Sequence, residues 1–116
     1  MGGTVRIQGA DSAANSGALA KSLVVSAVPG RLFSVSVWNN SVSDVYIQLH
    51  DAASLPSNGA VPKLVFKCSA DSEKARDYVD GRIFATGIVV AVSTTSATLT
   101  ITTTNDCIID ATYRVK

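Results

Sequence analysis

The chain has 116 residues, 47% of them apolar and only 16% charged, with ten basic and nine acidic side chains. That length makes one domain, and the singly scattered lysines and arginines form no basic patch, which argues against nucleic-acid binding. No apolar run approaches the roughly 20 residues of a membrane helix, and the start MGGTVRIQGADS lacks the apolar core of an export signal, so synthesis in a cytosol-like compartment is expected.

Ser and Thr stand where charge is missing, and Val and Thr are abundant while Glu and Met occur once each. This balance favours sheet over helix. Residues 1–21 differ from the rest. They are rich in Gly, Ala and Ser and read as an N-terminal arm, with residues 22–116 as the folded domain. Within the arm, Thr4, Val5, Arg6, Ile7 and Gln8 have the pattern of a short strand that orders on a neighbouring subunit. Ala13–Ala20 has the composition of a helical turn weakened by Gly17.

Ser22–Val28 reads as a strand closed by the Pro29-Gly30 turn. RLFSVSVWNN then alternates, placing Phe33, Val35 and Val37 on one face and Ser34, Ser36 and Trp38 on the other. Asn39-Asn40-Ser41 turns the chain, because Asn tolerates left-handed backbone. In the next strand Val45, Ile47 and Leu49 point inward, and Tyr46, Gln48 and His50 outward. If these two strands form a hairpin, Trp38 and Tyr46 share one exposed patch suited to protein docking or carbohydrate stacking.

A turn-rich link, AASLPSNGAVP, leads to a strand at Lys63–Cys68 with Leu64, Phe66 and Cys68 facing in. SADSEKARDYVDG holds most of the charge and reads as an exposed loop or a short helix ended by Gly81, before a brief strand at Arg82–Phe84. Gly87–Val92 is apolar on both faces, as in a central strand covered on both sides. Ala97–Thr102 is expected to return as its hairpin partner, with Leu99 and Ile101 facing in. In the last strand Cys107, Ile109, Ala111, Tyr113 and Val115 oppose Ile108, Asp110, Thr112 and Arg114.

About eight strands at spacings near ten residues, with no helical pattern between them, predict an all-β fold. The expected form is an antiparallel two-sheet β-sandwich of jelly-roll or Greek-key type. The expected core comprises Phe33, Val35, Val37, Val45, Ile47, Leu49, Leu64, Phe66, Ile88, Val90, Leu99, Ile101, Ile109 and Tyr113.

Catalytic and metal chemistry find little footing. His50 and Asp51 are adjacent, so as strand neighbours they point to opposite faces and form no dyad, and there is no GxSxG nucleophile elbow. Asp71, Glu73, Asp77 and Asp80 lack the spacing of a calcium loop. Cys68 and Cys107 read as unbridged buried thiols, and one histidine without CxxC gives no zinc site. No catalytic residue, cofactor or metal is expected, and the chain does not read as an enzyme.

The segments LFSVSVWNN, YIQLHDAASLPSNGAVP and FATGIVVAVSTTSATLT resemble those of small structural proteins of tailed bacteriophages, among them virion, capsid-decoration and fibre-associated proteins. The resemblance spans Arg31–Val115, and the charged insert SADSEKARDYVDG departs from the short polar link expected there. It implies a β-sandwich present in many copies on the virion, made in the host cytoplasm. In that reading the chain is a decoration or cement protein on the outer capsid surface. Its partners would be the major capsid protein and copies of itself, as a homo-trimer with a dimer as competitor. The alternative is a receptor- or carbohydrate-binding module of a tail or head fibre. Near-neutral charge suits the outside of a capsid better than its DNA-facing lumen.

Overall fold

Among the described residues, alternating β-branched residues and frequent turn chemistry resolve into eight strands and no helix. In the computed structural model, which describes residues 9–115, they are β1 (Ser12–Asn15), β2 (Ser22–Ser26), β3 (Gly30–Asn39), β4 (Val45–His50), β5 (Leu64–Cys68), β6 (Ser72–Phe84), β7 (Ile88–Ser93) and β8 (Cys107–Val115). They make two four-stranded sheets with orders β1-β8-β3-β6 and β2-β7-β4-β5. All the ladders are antiparallel. β1 pairs with β8, β2 with β7, β3 with β6 and β4 with β5. The chain is therefore one long hairpin wrapped on itself, the strand order of a jelly roll.

The space between the sheets is filled by the inward face of each strand, including Val35, Val37, Val45, Ile47, Leu49, Phe66, Ile88, Val90 and Ile109. Full burial of each such side chain stabilises by about 1.5–3 kcal/mol. The inward sets expected for β4 and β5 are found there, as are Cys107, Ile109 and Ala111 of β8.

Four expectations need correction. Phe33 is not a core residue. The β3 register slips between Leu32 and Ser34 against both neighbours, a bulge that turns Phe33 outward and puts Leu32 into the core. A one-residue slip exchanges faces, so strict alternation misassigns everything before it.

The charged segment is neither loop nor helix but most of β6, a 13-residue strand at the edge of the first sheet. Strict opposition places Lys74 beside Val37 and Arg76 beside Val35, so both basic side chains lie on the core side. Arg76 crosses the open flank and stacks over the Phe66 ring of the other sheet, 5.0 Å from its centroid. Charges turned inward on an edge strand block pairing with a foreign strand. A loop at Tyr78–Gly81 bulges from β6, with Asp80 and Gly81 at φ of 65° and 77°.

Residues 97–102 form no strand. Only a single bridge, Ser93 to Ile101, continues from β7, and Ile101 is half-buried. The Ser93 hydroxyl accepts from the backbone N–H groups of Thr95 and Thr100 and donates to the Thr95 carbonyl. Side-chain hydroxyls here replace ladder partners.

The described part of the arm is also not helical. β1 pairs with β8 of the same chain, and Ala20 bridges to Cys107. The backbone carries this attachment, with Ala14 its one packed apolar group.

Candidate interaction surface

The two outer faces of the sandwich differ. On the second sheet, residues facing away from the core are buried too: Gln48 and His50 of β4, and Val89 and Ala91 opposite them on β7. The 94–100 segment provides the cover. The Gln48 side-chain nitrogen donates to the carbonyls of Thr95, Ser96 and Thr98 at 2.9, 3.3 and 3.0 Å. Leu99 is buried yet lies outside the cluster between the sheets. The 57–60 turn is fastened to this segment by reciprocal backbone bonds between Leu99 and residues 59–60, and Asn58 accepts from the Ile101 N–H. The all-buried β7 matches the expected two-sided central strand.

Among the described residues, the outer face of the first sheet carries no such cover. Its register aligns Trp38 with Ile108 and Glu73, Ser36 with Asp110 and Ala75, and Ser34 with Thr112 and Asp77. Trp38 and Ile108 are each 37% exposed and lie side by side. Ser34 and Thr112 share a hydroxyl hydrogen bond, and Asn15 donates to Asp110. The result is a surface of small hydroxyl-bearing residues with an apolar pair at one end and carboxylates around it.

A third feature lies where β4 ends. His50, Asp51, Ala52, Pro56, Ala60, Val61, Pro62 and Lys63 line a cleft of about 340 Å³. His50 is only 3% exposed, and its Nε2 lies 2.9 Å from Gln48 Oε1. Gln48 has committed its amide nitrogen to three carbonyls, so its oxygen must accept and His50 Nε2 must carry the proton. Nδ1 is then a lone-pair acceptor. Among the described residues it has no hydrogen-bond partner, and no buried polar side-chain atom there is orphaned, so Nδ1 keeps some contact with solvent, and His50 lines the cleft. Desolvation holds the His50 pKa below its ordinary 6.5.

Asp51 accepts from the backbone N–H groups of Ala85, Thr86 and Gly87 and so fixes the β6–β7 crossover. Burial pushes its pKa up, but those three donors and nearby Lys63 outweigh burial and leave it below 3.8. His50 and Asp51 thus have separate partners and form no dyad. Among the described residues no three His, Cys, Asp or Glu side chains converge as metal ligands.

Of the residues expected to make contacts, Thr4, Val5, Arg6, Ile7 and Gln8 lie outside the described residues. Trp38 and Tyr46 are not brought together. β3 and β4 belong to different sheets, so the two aromatics sit on opposite faces of the sandwich. Sequence reading missed Ile108 as the neighbour of Trp38, because that pairing joins strands seventy residues apart (108 − 38 = 70). It also missed the Gln48–His50 pair. The available signal was two long Ser-, Thr- and Pro-rich links, each of which needs a surface to lie on. Comparison with family models, characterised proteins and solved structures finds no match to this chain.

Proposed function

We propose that this chain is a bacteriophage virion structural protein, a capsid decoration or cement protein that docks on the outer capsid through the open face of its first sheet. The observation that carries this reading is the asymmetry of the sandwich among the described residues: one outer face is covered by the chain's own loops, while the other presents Trp38 and Ile108 beside a row of hydroxyl-bearing residues. An apolar anchor within a polar rim is the anatomy of a docking patch. The segment resemblance to phage virion proteins points the same way, and jelly rolls recur in viral capsids, though that is an analogy of fold alone. Repetition on a particle would convert a weak single contact into strong attachment.

The test is co-sedimentation of the protein with undecorated capsids. Trp38→Ala and Ile108→Ser should each weaken particle binding by about tenfold or more, as loss of an interface anchor does. Unchanged binding in both folded variants would remove this face from the reading. Glycan binding without capsid binding would favour the fibre module instead.

A further inference from the structure

We propose that the His50–Asp51–Lys63 cleft is a binding site for a neutral hydroxyl-bearing ligand, a mono- or disaccharide. The proposal stands apart from capsid docking, because the cleft lies at the end of β4 in the second sheet and shares no residue with the Trp38 face of the first.

The donors and acceptors define the ligand. His50 Nδ1 can only accept, since the Gln48 network fixes the proton on Nε2. Asp51 can only accept: Oδ1 receives two backbone N–H groups and Oδ2 one, which leaves Oδ2 with capacity for another donor. Lys63 can only donate. A hydroxyl group does both, and adjacent hydroxyls on one ring meet two acceptors and one donor together.

Charge narrows the class further. Asp51 and Lys63 cancel and the depressed pKa of His50 keeps the imidazole neutral near pH 7, so neither an anion nor a cation finds a net counter-charge. A purely apolar ligand would strip water from all three polar groups without replacing its hydrogen bonds. The remaining walls, Ala52, Pro56, Ala60, Val61 and Pro62, offer aliphatic surface to the C–H faces of a sugar ring. A volume of about 340 Å³ lies at the small end of ligand sites and suits one or two rings. His50 is the built part of the site: a polar side chain 3% exposed that lines the cleft, with Nε2 held by Gln48 and Nδ1 unpaired among the described residues.

The experiment uses the full chain, labelled with nitrogen-15, titrated into the tens of millimolar with glucose, galactose and N-acetylglucosamine separately. Acetate and phosphate serve as comparison probes. At least one sugar should shift the His50 Nδ1 resonance and the amides of Ala52, Val61 and Lys63 in a saturable way, while acetate and phosphate do not. Val61 is 77% exposed, so Val61→Trp should fold, fill the cleft and abolish the shifts. Lys63→Met should weaken binding by about tenfold, the loss of one hydrogen bond from a charged group. The proposal is overturned if none of the three sugars gives saturable shifts. It is equally overturned if sugar shifts persist in folded Val61→Trp, or if acetate or phosphate saturates the site in place of the sugars.

Discussion

Gln48 Oε1 accepts the Nε2 proton of His50 at 2.9 Å, while the Gln48 amide nitrogen gathers three carbonyls of the 95–98 segment. One buried side chain thus joins the central strand of the second sheet, its covering loop and the wall of the cleft. Gln48→Leu keeps the shape but strands the His50 N–H and frees three carbonyls. Leaving buried polar groups unpaired costs about 1–3 kcal/mol each, less what water recovers, so a net loss of about 2–4 kcal/mol is expected. Urea unfolding measures it. A loss below about 1 kcal/mol would mean the segment is not held through this amide.

His50 is the single histidine of the chain, so stability changes in the histidine range belong to it. Its folded pKa is lowered from 6.5 by desolvation. Below pH 6.5 the unfolded chain takes up a proton that the folded chain still refuses, so stability falls as pH falls from 6.5 toward the folded value. Asp44 and Asp51 act in a separate window. Asp44 is lowered by the Ala70 N–H and Lys67, and Asp51 by its backbone donors against burial. Their contribution is present above 3.8 and lost as pH falls through their lower folded values. Urea midpoints at several pH values should show two declines, and His50→Gln should erase the upper one. An upper decline surviving in that variant would assign it elsewhere.

The runs of β4, β5 and β8 were legible because each has a buried inner face that recurs every second residue, and β7 because it is apolar on both faces; β4 also keeps one register with both its neighbours. Three kinds of information were not local. The bulge that takes Phe33 out of the core is set by how β3 meets β6 and β8 together. The strand nature of 72–84 was hidden because its core-side positions at the open edge carry Lys74 and Arg76, so its residues do not alternate in polarity. The covering of Gln48 and His50 depends on where two loops come to rest. Of the candidate surface, Trp38 was legible as an outward aromatic. Its pairing with Ile108 required the strand order.

Lys74 and Arg76 on the inner side of edge strand β6 act against association more than for stability. The Arg76–Phe66 stacking at 5.0 Å contributes about 0.5–1 kcal/mol at an accessible site. The double variant Lys74→Val, Arg76→Val gives β6 an apolar inner face without its charges, next to free backbone groups. Stability should change by no more than about 1 kcal/mol, while light scattering should reveal concentration-dependent association. A variant that stays as dispersed as the parent would show that the Tyr78–Gly81 bulge alone protects this edge.

Cys68 and Cys107 are both buried and unbridged. Burial pushes both thiols up, and Cys107 reaches about 12 through burial, then its proximity to Cys68 and Asp106. Alkylation proceeds through the thiolate. At pH 8 a thiol of pKa about 12 is ionised to about one part in ten thousand, and neither sulfur is open to reagent in the folded state. The folded protein should therefore take up no iodoacetamide over a time in which the urea-unfolded, non-reduced protein takes up two labels by mass. Labelling of the native state should occur only through opening and should accelerate with denaturant in step with unfolding. Rapid native labelling at one cysteine would place that thiol at the surface. Absence of label in the unfolded protein would mean the two sulfurs are bonded.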